Sequence, residues 1–305
     1  MTVKEGIGRD ILRLFVWYPL RWLILASPVR TAISILRLMG DLHYSLSRGK
    51  KKVLSQNLGR IRKDCPAETV GKISREYLRN HYIDRLFIFI FPRLGANELK
   101  RLVNIKGVEH LDSALKSGLG AVLVHGHFGP VHLPLVALAR LGYRMKQIGL
   151  PSDEGLSWIG RNVAFKLRLF YESKMPAEVI NAEAFLRGAF RWLKDNGVLM
   201  ITGDGTGTDK HVGRHEAFKF FGQDVLFPLG PSILAKKTGA KILPMFIAPG
   251  EARFLYTIII ERPLTEDDPR RMTEAFVRRL ESYASEYPQY LHFLDRFSPG
   301  LLIRK

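Results

Sequence analysis

Short apolar runs alternate with segments of helical periodicity over most of the chain beyond residue 119. An apolar run followed by a helix and then by another apolar run is typical of parallel strands joined by crossover helices. The pattern therefore predicts an α/β fold with a mostly parallel central sheet flanked by helices. The predicted strands are 120–125, 143–150, 197–202, 241–247 and 254–260, and the predicted helices are 131–140, 177–194, 230–238 and 270–286.

The part of the chain before this alternating region is helical and basic. Apolar residues recur at helical spacing over residues 67–91, and Pro92 ends that pattern. Residues 1–64 carry thirteen Lys or Arg and four Asp or Glu, so they hold half of the net charge of +18. We therefore expect a basic, apolar N-terminal helical region over residues 1–64 and an α/β domain over residues 65–305.

The basic region contains the most apolar segment of the chain, residues 14–29. Three residues interrupt it: Pro19, Arg21 and Pro28. A helix needs about 20 apolar residues to span a bilayer, so this segment is too short and too broken for a clear transmembrane helix. Aromatic and cationic side chains alternate in it, as they do in helices that lie at a lipid interface. We expect residues 8–40 to anchor the chain at a membrane; the alternative is a pair of amphipathic helices packed on the protein's own core.

Composition and charge narrow the classes of protein further. With 46% hydrophobic residues the chain is neither disordered nor collagen-like. Its single cysteine, Cys65, cannot form an intramolecular disulfide, and no cleavable signal peptide is evident, so we expect a reducing compartment. The net positive charge favours binding to phospholipid headgroups. We expect no nucleic-acid partner, because no known DNA- or RNA-binding motif is present.

Three histidines follow the predicted strand 120–125 in a loop punctuated by glycine and proline: His125, His127 and His132. Binding and catalytic residues gather at the carboxyl ends of parallel strands, so this loop is a candidate site. A histidine here can act as a general base, because its pKa lies near neutrality. Two other uses stay open: the His-x-His pair could bind a metal, and the histidines could be hydrogen-bonded structural groups.

A second polar loop follows the predicted strand 197–202 and carries Asp204 and Asp209. The loop is rich in glycine but lacks both the Gly-Lys-Ser/Thr of a phosphate-binding loop and the dinucleotide fingerprint. His211 and His215 could complete a metal site with these carboxylates. No known zinc-enzyme spacing is present, however, so we expect no metal.

Several motifs follow one another in a fixed order along nearly the whole chain. They are 51–58 (KKVLSQNL), 124–129 (VHGHFG), Asp204 after a strand, 220–222 (FFG), 228–231 (PLGP), 238–244 (TGAKILP) and 287–297 (YPQYLHFLDRF). The ordered set resembles the lipid A biosynthesis acyltransferase family, the lauroyl and myristoyl acyltransferases of Gram-negative bacteria with their actinobacterial relatives, within the lysophospholipid acyltransferase-like superfamily. The resemblance implies a membrane anchor and transfer of a fatty acyl chain from an acyl carrier protein or CoA thioester to a hydroxyl of a glycolipid or lysolipid.

The catalytic pattern of that family is a histidine, four residues and an acid. His127 fits the histidine, but His132 stands at the acid's position. A neutral histidine would stabilise an imidazolium poorly. Three explanations of this departure stay open. The first is an acid at another position, for which Asp204 is the first candidate and Glu183 the second. The second is a different acceptor chemistry, and the third is a family member that no longer catalyses.

The resemblance also suggests how substrates could be held. Backbone amides near Phe128 and Gly129 would stabilise the oxyanion, Arg214 and Lys219 would hold phosphates of the donor or acceptor, and His125 would contact substrate. Three aromatic residues could line an acyl groove or could pack in the core: Phe218, Phe220 and Phe221.

The sequence therefore favours an acyltransferase at the cytoplasmic face of the bacterial inner membrane, with His127 as general base and no cofactor beyond its thioester donor. Two rival functions stay open: a non-catalytic lipid- or acyl-carrier-binding homologue, and a metallohydrolase built on the histidine cluster.

Overall fold

The structure is a computed structural model of the 305-residue chain, and it describes residues 6–62, 65–182, 187–205 and 212–296. Its central sheet has seven strands among these residues, and a separate antiparallel hairpin has two. The strands are β1 Val103–Lys106, β2 Ala121–His125, β3 Met145–Gly149, β4 Glu178–Asn181, β5 Val198–Thr202, β6 His215–Phe220, β7 Gln223–Pro228, β8 Lys241–Pro249 and β9 Tyr256–Ile260.

The central sheet runs in the order β1-β9-β8-β2-β5-β3-β4. Neighbouring strands are parallel except for β8 and β9, which are antiparallel. The predicted α/β class and mostly parallel sheet are therefore confirmed. The predicted strands are all present, with ends that shift by no more than two residues.

Helices flank this sheet. Within the described residues they are α1 Ile7–Phe15, α2 Arg21–Ala26, α3 Val29–Leu46, α4 Arg48–Ile61, α5 Ala67–Leu86, α6 Ala96–Leu102, α7 Val108–Leu115, α8 Leu133–Arg140, α9 Lys166–Glu172, α10 Arg187–Lys194, α11 Gly230–Thr238 and α12 Pro269–Glu286. A π-helical turn around Pro19 joins α1 to α2, and another over Gly160–Phe165 leads into α9. None of these helices combines the length and the apolar character that crossing a bilayer requires.

The helix predicted over residues 177–194 is wrong in its first half. Glu178–Asn181 forms the edge strand β4, which pairs in parallel with β3, and α10 begins only at Arg187. An ion pair of 2.5 Å between Lys146 and Glu178 joins the two strands. This pairing depends on a strand more than thirty residues away, so local periodicity did not reveal it.

The N-terminal helices pack on the same hydrophobic core as the sheet. Ile24, Leu36, Leu54 and Leu58 are fully buried and belong to one cluster with the sheet residues. One face of these helices therefore packs on the protein's own core, as the alternative to a membrane anchor predicted. The division of the chain at residue 64 stays a prediction.

Helix α3 lies close to the backbone of α5 at Gly40. A Cβ atom at Gly40 would lie 2.5 Å from the Cα of Arg79, and the backbone of α5 cannot move away as a flexible side chain could. We expect Gly40→Ala to lower the free energy of unfolding by about 1–3 kcal/mol through overpacking. Gly59→Ala is the matched control, since nothing lies within 4 Å of a Cβ there. That helical substitution should stabilise by about 0.5–1 kcal/mol.

Thermal or denaturant unfolding of both variants measures the difference. Equal midpoints for Gly40→Ala and Gly59→Ala would contradict the close crossing of α3 and α5.

Candidate active site

Two loops begin side by side at the carboxyl ends of neighbouring strands. β2 and β5 pair in parallel, and their last residues, His125 and Thr202, face each other across the ladder. Gly203 opens the second loop, and a Cβ there would overlap the side chains of Val124 and Phe276. Glycine is therefore required at this position. Because it has no side chain, the loop after β5 can pass the core and meet the loop after β2.

His127 and Asp204 are in contact where these loops meet. The Nδ1 atom of His127 lies 2.8 Å from Oδ1 of Asp204, and the backbone N–H of His127 donates to Oδ2 at 2.7 Å. An ionised carboxylate only accepts hydrogen bonds, so Nδ1 carries the proton. The neutral ring then has an unprotonated Nε2 atom, which can accept a proton from another group.

Each of these two side chains stabilises the charged form of the other. Burial alone would lower the pKa of His127, but the negative charge of Asp204 and the hydrogen bond to it raise that pKa above its ordinary value. Burial would raise the pKa of Asp204, but the charge of His127 and the hydrogen bonds from it lower that pKa. Asp204 therefore stays ionised at neutral pH, and His127 is a stronger base than a buried histidine without a carboxylate.

His127 lies in the wall of a cavity of about 340 Å³. Ionisable side chains form one part of the lining: Asp84, His127, His132, Arg168, Glu172, His215 and His292. Most of the rest is apolar and includes Val131, Ile148, Leu150, Pro151, Val179, Ile201, Pro228 and Leu234. Such a cavity can hold an apolar chain while its polar wall contacts a reacting group.

The C-terminal segment holds the histidine loop in place. The backbone N–H of His292 donates to the carbonyl of His127 at 3.0 Å, and the N–H of Gly129 donates to the carbonyl of Tyr290 at 2.8 Å. The Nε2 atom of His292 lies 2.6 Å from the carbonyl oxygen of Gly129, so it donates a third bond to the loop. Helix α5 supports this segment in turn, because the hydroxyl of Tyr77 donates to the carbonyl of His292 at 2.9 Å.

Asp84 of α5 is a second carboxylate at the cavity. Its Oδ1 accepts a hydrogen bond of 3.2 Å from the N–H of Val131, and its Oδ2 lies 3.7 Å from Nδ1 of His292. Neither Asp84 nor His292 was predicted from the sequence as a site residue, although His292 lies within one of the motifs that carry the family resemblance. Asp84 belongs to a predicted helix, and no local pattern distinguishes it from an ordinary surface acid.

A model of the bacterial lipid A biosynthesis acyltransferases matches residues 9–298. The chain belongs to this family. The resemblance inferred from the ordered motifs is thus confirmed, and the protein is an acyltransferase.

Two relatives show how far the similarity extends. The phosphatidylinositol mannoside acyltransferase of Mycobacterium tuberculosis (strain ATCC 25618 / H37Rv) is 26% identical over 268 residues, which cover 83% of this chain and 78% of the relative. The phosphatidylinositol mannoside acyltransferase of Mycolicibacterium smegmatis (strain ATCC 700084 / mc(2)155) is 24% identical over 259 residues, which cover 83% and 81%.

His132 stands at the acid's position of the family pattern but is not the group that contacts His127. It precedes α8, lines the cavity and packs edge-on against Phe91, with 5.9 Å between ring centroids. Burial lowers its pKa, so the ring is neutral at physiological pH. In this acyltransferase the carboxylate on His127 belongs to Asp204.

Three other candidates from the first loop lie outside the cavity lining. His125 is buried, and its Nδ1 atom lies 2.9 Å from the carbonyl oxygen of Gly126. Phe128 is buried against Tyr290. The expected oxyanion donors are also occupied, because the N–H of Phe128 donates to Gly126 and that of Gly129 donates to Tyr290. The expectation that these two amides bind an oxyanion does not fit this structure.

The candidates on and next to the β6–β7 hairpin are not part of the cavity lining either, although Gly213 and His215, the neighbours of Arg214, are. Arg214 is 2.5 Å from Glu216, and Lys219 is 2.9 Å from Asp224. Phe221 packs against its neighbour on the hairpin and does not line the cavity. The rings of Phe218, Phe220 and Phe221 pack within the hairpin and do not line this cavity, and their role in an acyl groove stays a prediction.

Metal ligation finds no support in the described part of the chain. No group of three or more His, Cys, Asp or Glu side chains there is arranged to hold an ion. The other candidates for a metal or relocated-acid role, Glu183, Asp209 and His211, lie outside the described residues.

Proposed function

We propose that this acyltransferase moves a fatty acyl chain from an acyl carrier protein or CoA thioester to a hydroxyl of a glycolipid or lysolipid, with His127 as general base. The hydrogen bond between His127 and Asp204 in the cavity wall carries the proposal. It leaves Nε2 of His127 as the basic atom beside a largely apolar cavity. The names of the mycobacterial relatives support a glycolipid acceptor.

The proposed reaction is a direct exchange of a thioester for an ester. Nε2 of His127 takes the proton of the acceptor hydroxyl while its oxygen attacks the thioester carbonyl carbon. The tetrahedral intermediate expels the thiolate as the C–S bond breaks, and the imidazolium returns the proton to that sulfur. Asp204 stays ionised, keeps the imidazole in the productive tautomer and stabilises the imidazolium. All atoms and electrons come from the two substrates, so the proposal includes no resident cofactor.

We further propose that the N-terminal helices place the cavity at an anionic membrane. They keep a row of large apolar side chains exposed beside the buried face: Ile7, Ile11, Leu12, Leu14, Phe15, Tyr18, Trp22 and Leu23. Arg13 donates to the hydroxyl of Ser157 at 3.1 Å, which brings the exposed Trp158 near α1. Apolar and cationic residues of this kind favour an interfacial position. The net charge of +18 then suits the cytoplasmic face of the inner membrane.

Mass spectrometry of lipid extracts tests the proposed function. A deletion strain should accumulate a lipid that lacks one acyl chain, and the wild-type gene should restore that chain. The lipid that changes identifies the acceptor. An unchanged lipid profile would favour the non-catalytic, lipid- or carrier-binding alternative.

A further inference from the structure

A second cavity, of about 470 Å³, lies beneath the N-terminal helices and shares no lining residue with the first. It is open to solvent on one side and is lined by α3 and α5, by the turn between β8 and β9, and by the segment at Tyr290. Polar side chains contribute much of its lining: Arg30, Ser34, Arg37, Glu76, Asn80 and Gln289. The catalytic proposal makes no use of this cavity.

Two buried tyrosines line this cavity and bring hydroxyls that lack partners. Tyr256 is 4% exposed and Tyr290 is 6% exposed. Neither hydroxyl forms a hydrogen bond within the part of the chain that the structure describes. Burial raises the pKa of both phenols, so both keep their protons and can donate. Neither hydroxyl oxygen is fully enclosed by protein, so both are open to the cavity, where a ligand that accepts hydrogen bonds can reach them.

The charges around this cavity favour an anion. Arg37 donates to Glu76 at 3.0 Å, and Arg79 also pairs with that carboxylate, so the one acid in the lining is neutralised. Arg30 donates to the backbone carbonyls of Arg101 and Arg253, at 3.4 and 3.0 Å, and forms no ion pair with a described carboxylate. The lining thus presents phenol and guanidinium donors with an excess of positive charge, which is the chemistry that recognises phosphate.

A row of exposed leucines begins where this cavity ends. Leu38, Leu42 and Leu46 are 68%, 58% and 75% exposed, and their spacing of four residues places them along one face of α3. Ser34 of the cavity lies one turn before Leu38, and Arg37 directly precedes it. A phosphate site continuous with an exposed apolar row matches a lipid, because one end of a lipid is anionic and the other is hydrocarbon.

We propose that this second cavity binds the phosphate-bearing headgroup of a membrane phospholipid, whose acyl chains lie along the leucine row of α3. This lipid is distinct from the acyl acceptor, because His127 lies in the other cavity. The site holds the N-terminal helices at the bilayer through one specific lipid in addition to general charge attraction. It does not depend on acyl transfer.

Calorimetric titration of the full chain tests this site with a soluble lipid. The probe is dihexanoyl-phosphatidylglycerol below its micelle concentration, compared with dihexanoylglycerol, glycerol 3-phosphate and inorganic phosphate. We expect the wild type to bind the phospholipid at least about tenfold more tightly than glycerol 3-phosphate, because only the lipid also contacts the leucines. Dihexanoylglycerol should bind weakly, since it lacks the phosphate.

Variants decide whether binding occurs in this cavity. The double variant Tyr256→Phe, Tyr290→Phe keeps both rings and removes only the hydroxyls, so it should weaken phospholipid binding by about tenfold. Arg37→Gln, at a half-buried position, should weaken it similarly. Arg278→Gln is the matched control, since Arg278 pairs with Glu274 on the exposed face of α12.

Three outcomes would overturn the proposal. Wild-type affinity in the double variant and in Arg37→Gln would place the lipid elsewhere, including the first cavity. Equal binding of dihexanoylglycerol would remove the role of the phosphate. Equal binding of glycerol 3-phosphate or inorganic phosphate would show that the site takes a free anion and not a lipid.

Discussion

His127→Ala is expected to lower the rate of acyl transfer by about 10²- to 10⁴-fold, the usual contribution of a positioned general base. The substitution removes Nε2, the atom that takes the proton of the acceptor hydroxyl in the proposed reaction. The substrate-binding surface is otherwise unchanged, and we expect the KM for the thioester to change little while kcat falls. Steady-state transfer from a radiolabelled acyl thioester, with a saturating acceptor lipid, measures both parameters.

The control for this variant is His110→Ala, the same substitution on a partly exposed histidine of α7 outside the cavity. It should retain the wild-type rate. Full activity in His127→Ala would refute the assignment of the general base. A loss shared equally by both variants would point to a general effect on folding, which a thermal melt detects.

The histidine loop and the aspartate loop could be located from the sequence because each follows a strand with a clear local pattern. Residues 198–201 and 121–124 are continuous apolar runs, and parallel strands place their following loops at one edge of a sheet. The contact between His127 and Asp204 could only be a hypothesis at that stage. It depends on β2 and β5 being direct neighbours, and strand order is a long-range property.

The residues that hold the histidine loop in place could not be predicted from the sequence for the same reason. Asp84 and His292 come from a helix before the sheet and from the C-terminal segment, and they contact the histidine loop only in the folded chain. The phosphate contacts expected of Arg214 and Lys219 stay a prediction. In the folded chain the pairing of β6 with β7 places Lys219 opposite Asp224, and Arg214 pairs with Glu216.

The second large effect is expected for Asp204→Asn, with a loss of about 10³- to 10⁴-fold in kcat. The amide keeps the size of the carboxylate, but its NH₂ group can donate to Nδ1 of His127. That donation favours the tautomer in which Nε2 carries the proton, so Nε2 can no longer act as a base. Asp224→Asn, the same change on an exposed acid of β7, is the matched control and should retain activity.

The pH profile of the residual activity distinguishes an electrostatic role of Asp204 from a purely structural one. In the wild type Asp204 raises the pKa of His127, so activity should fall as the pH drops through that raised value and the base becomes protonated. In Asp204→Asn the carboxylate no longer opposes burial, which lowers the pKa of His127. The acidic limb of kcat/KM should therefore move to lower pH, measured between about pH 5 and about pH 9. If the acidic limb of kcat/KM keeps its pH in Asp204→Asn while kcat falls, Asp204 has only a structural role in positioning the histidine loop.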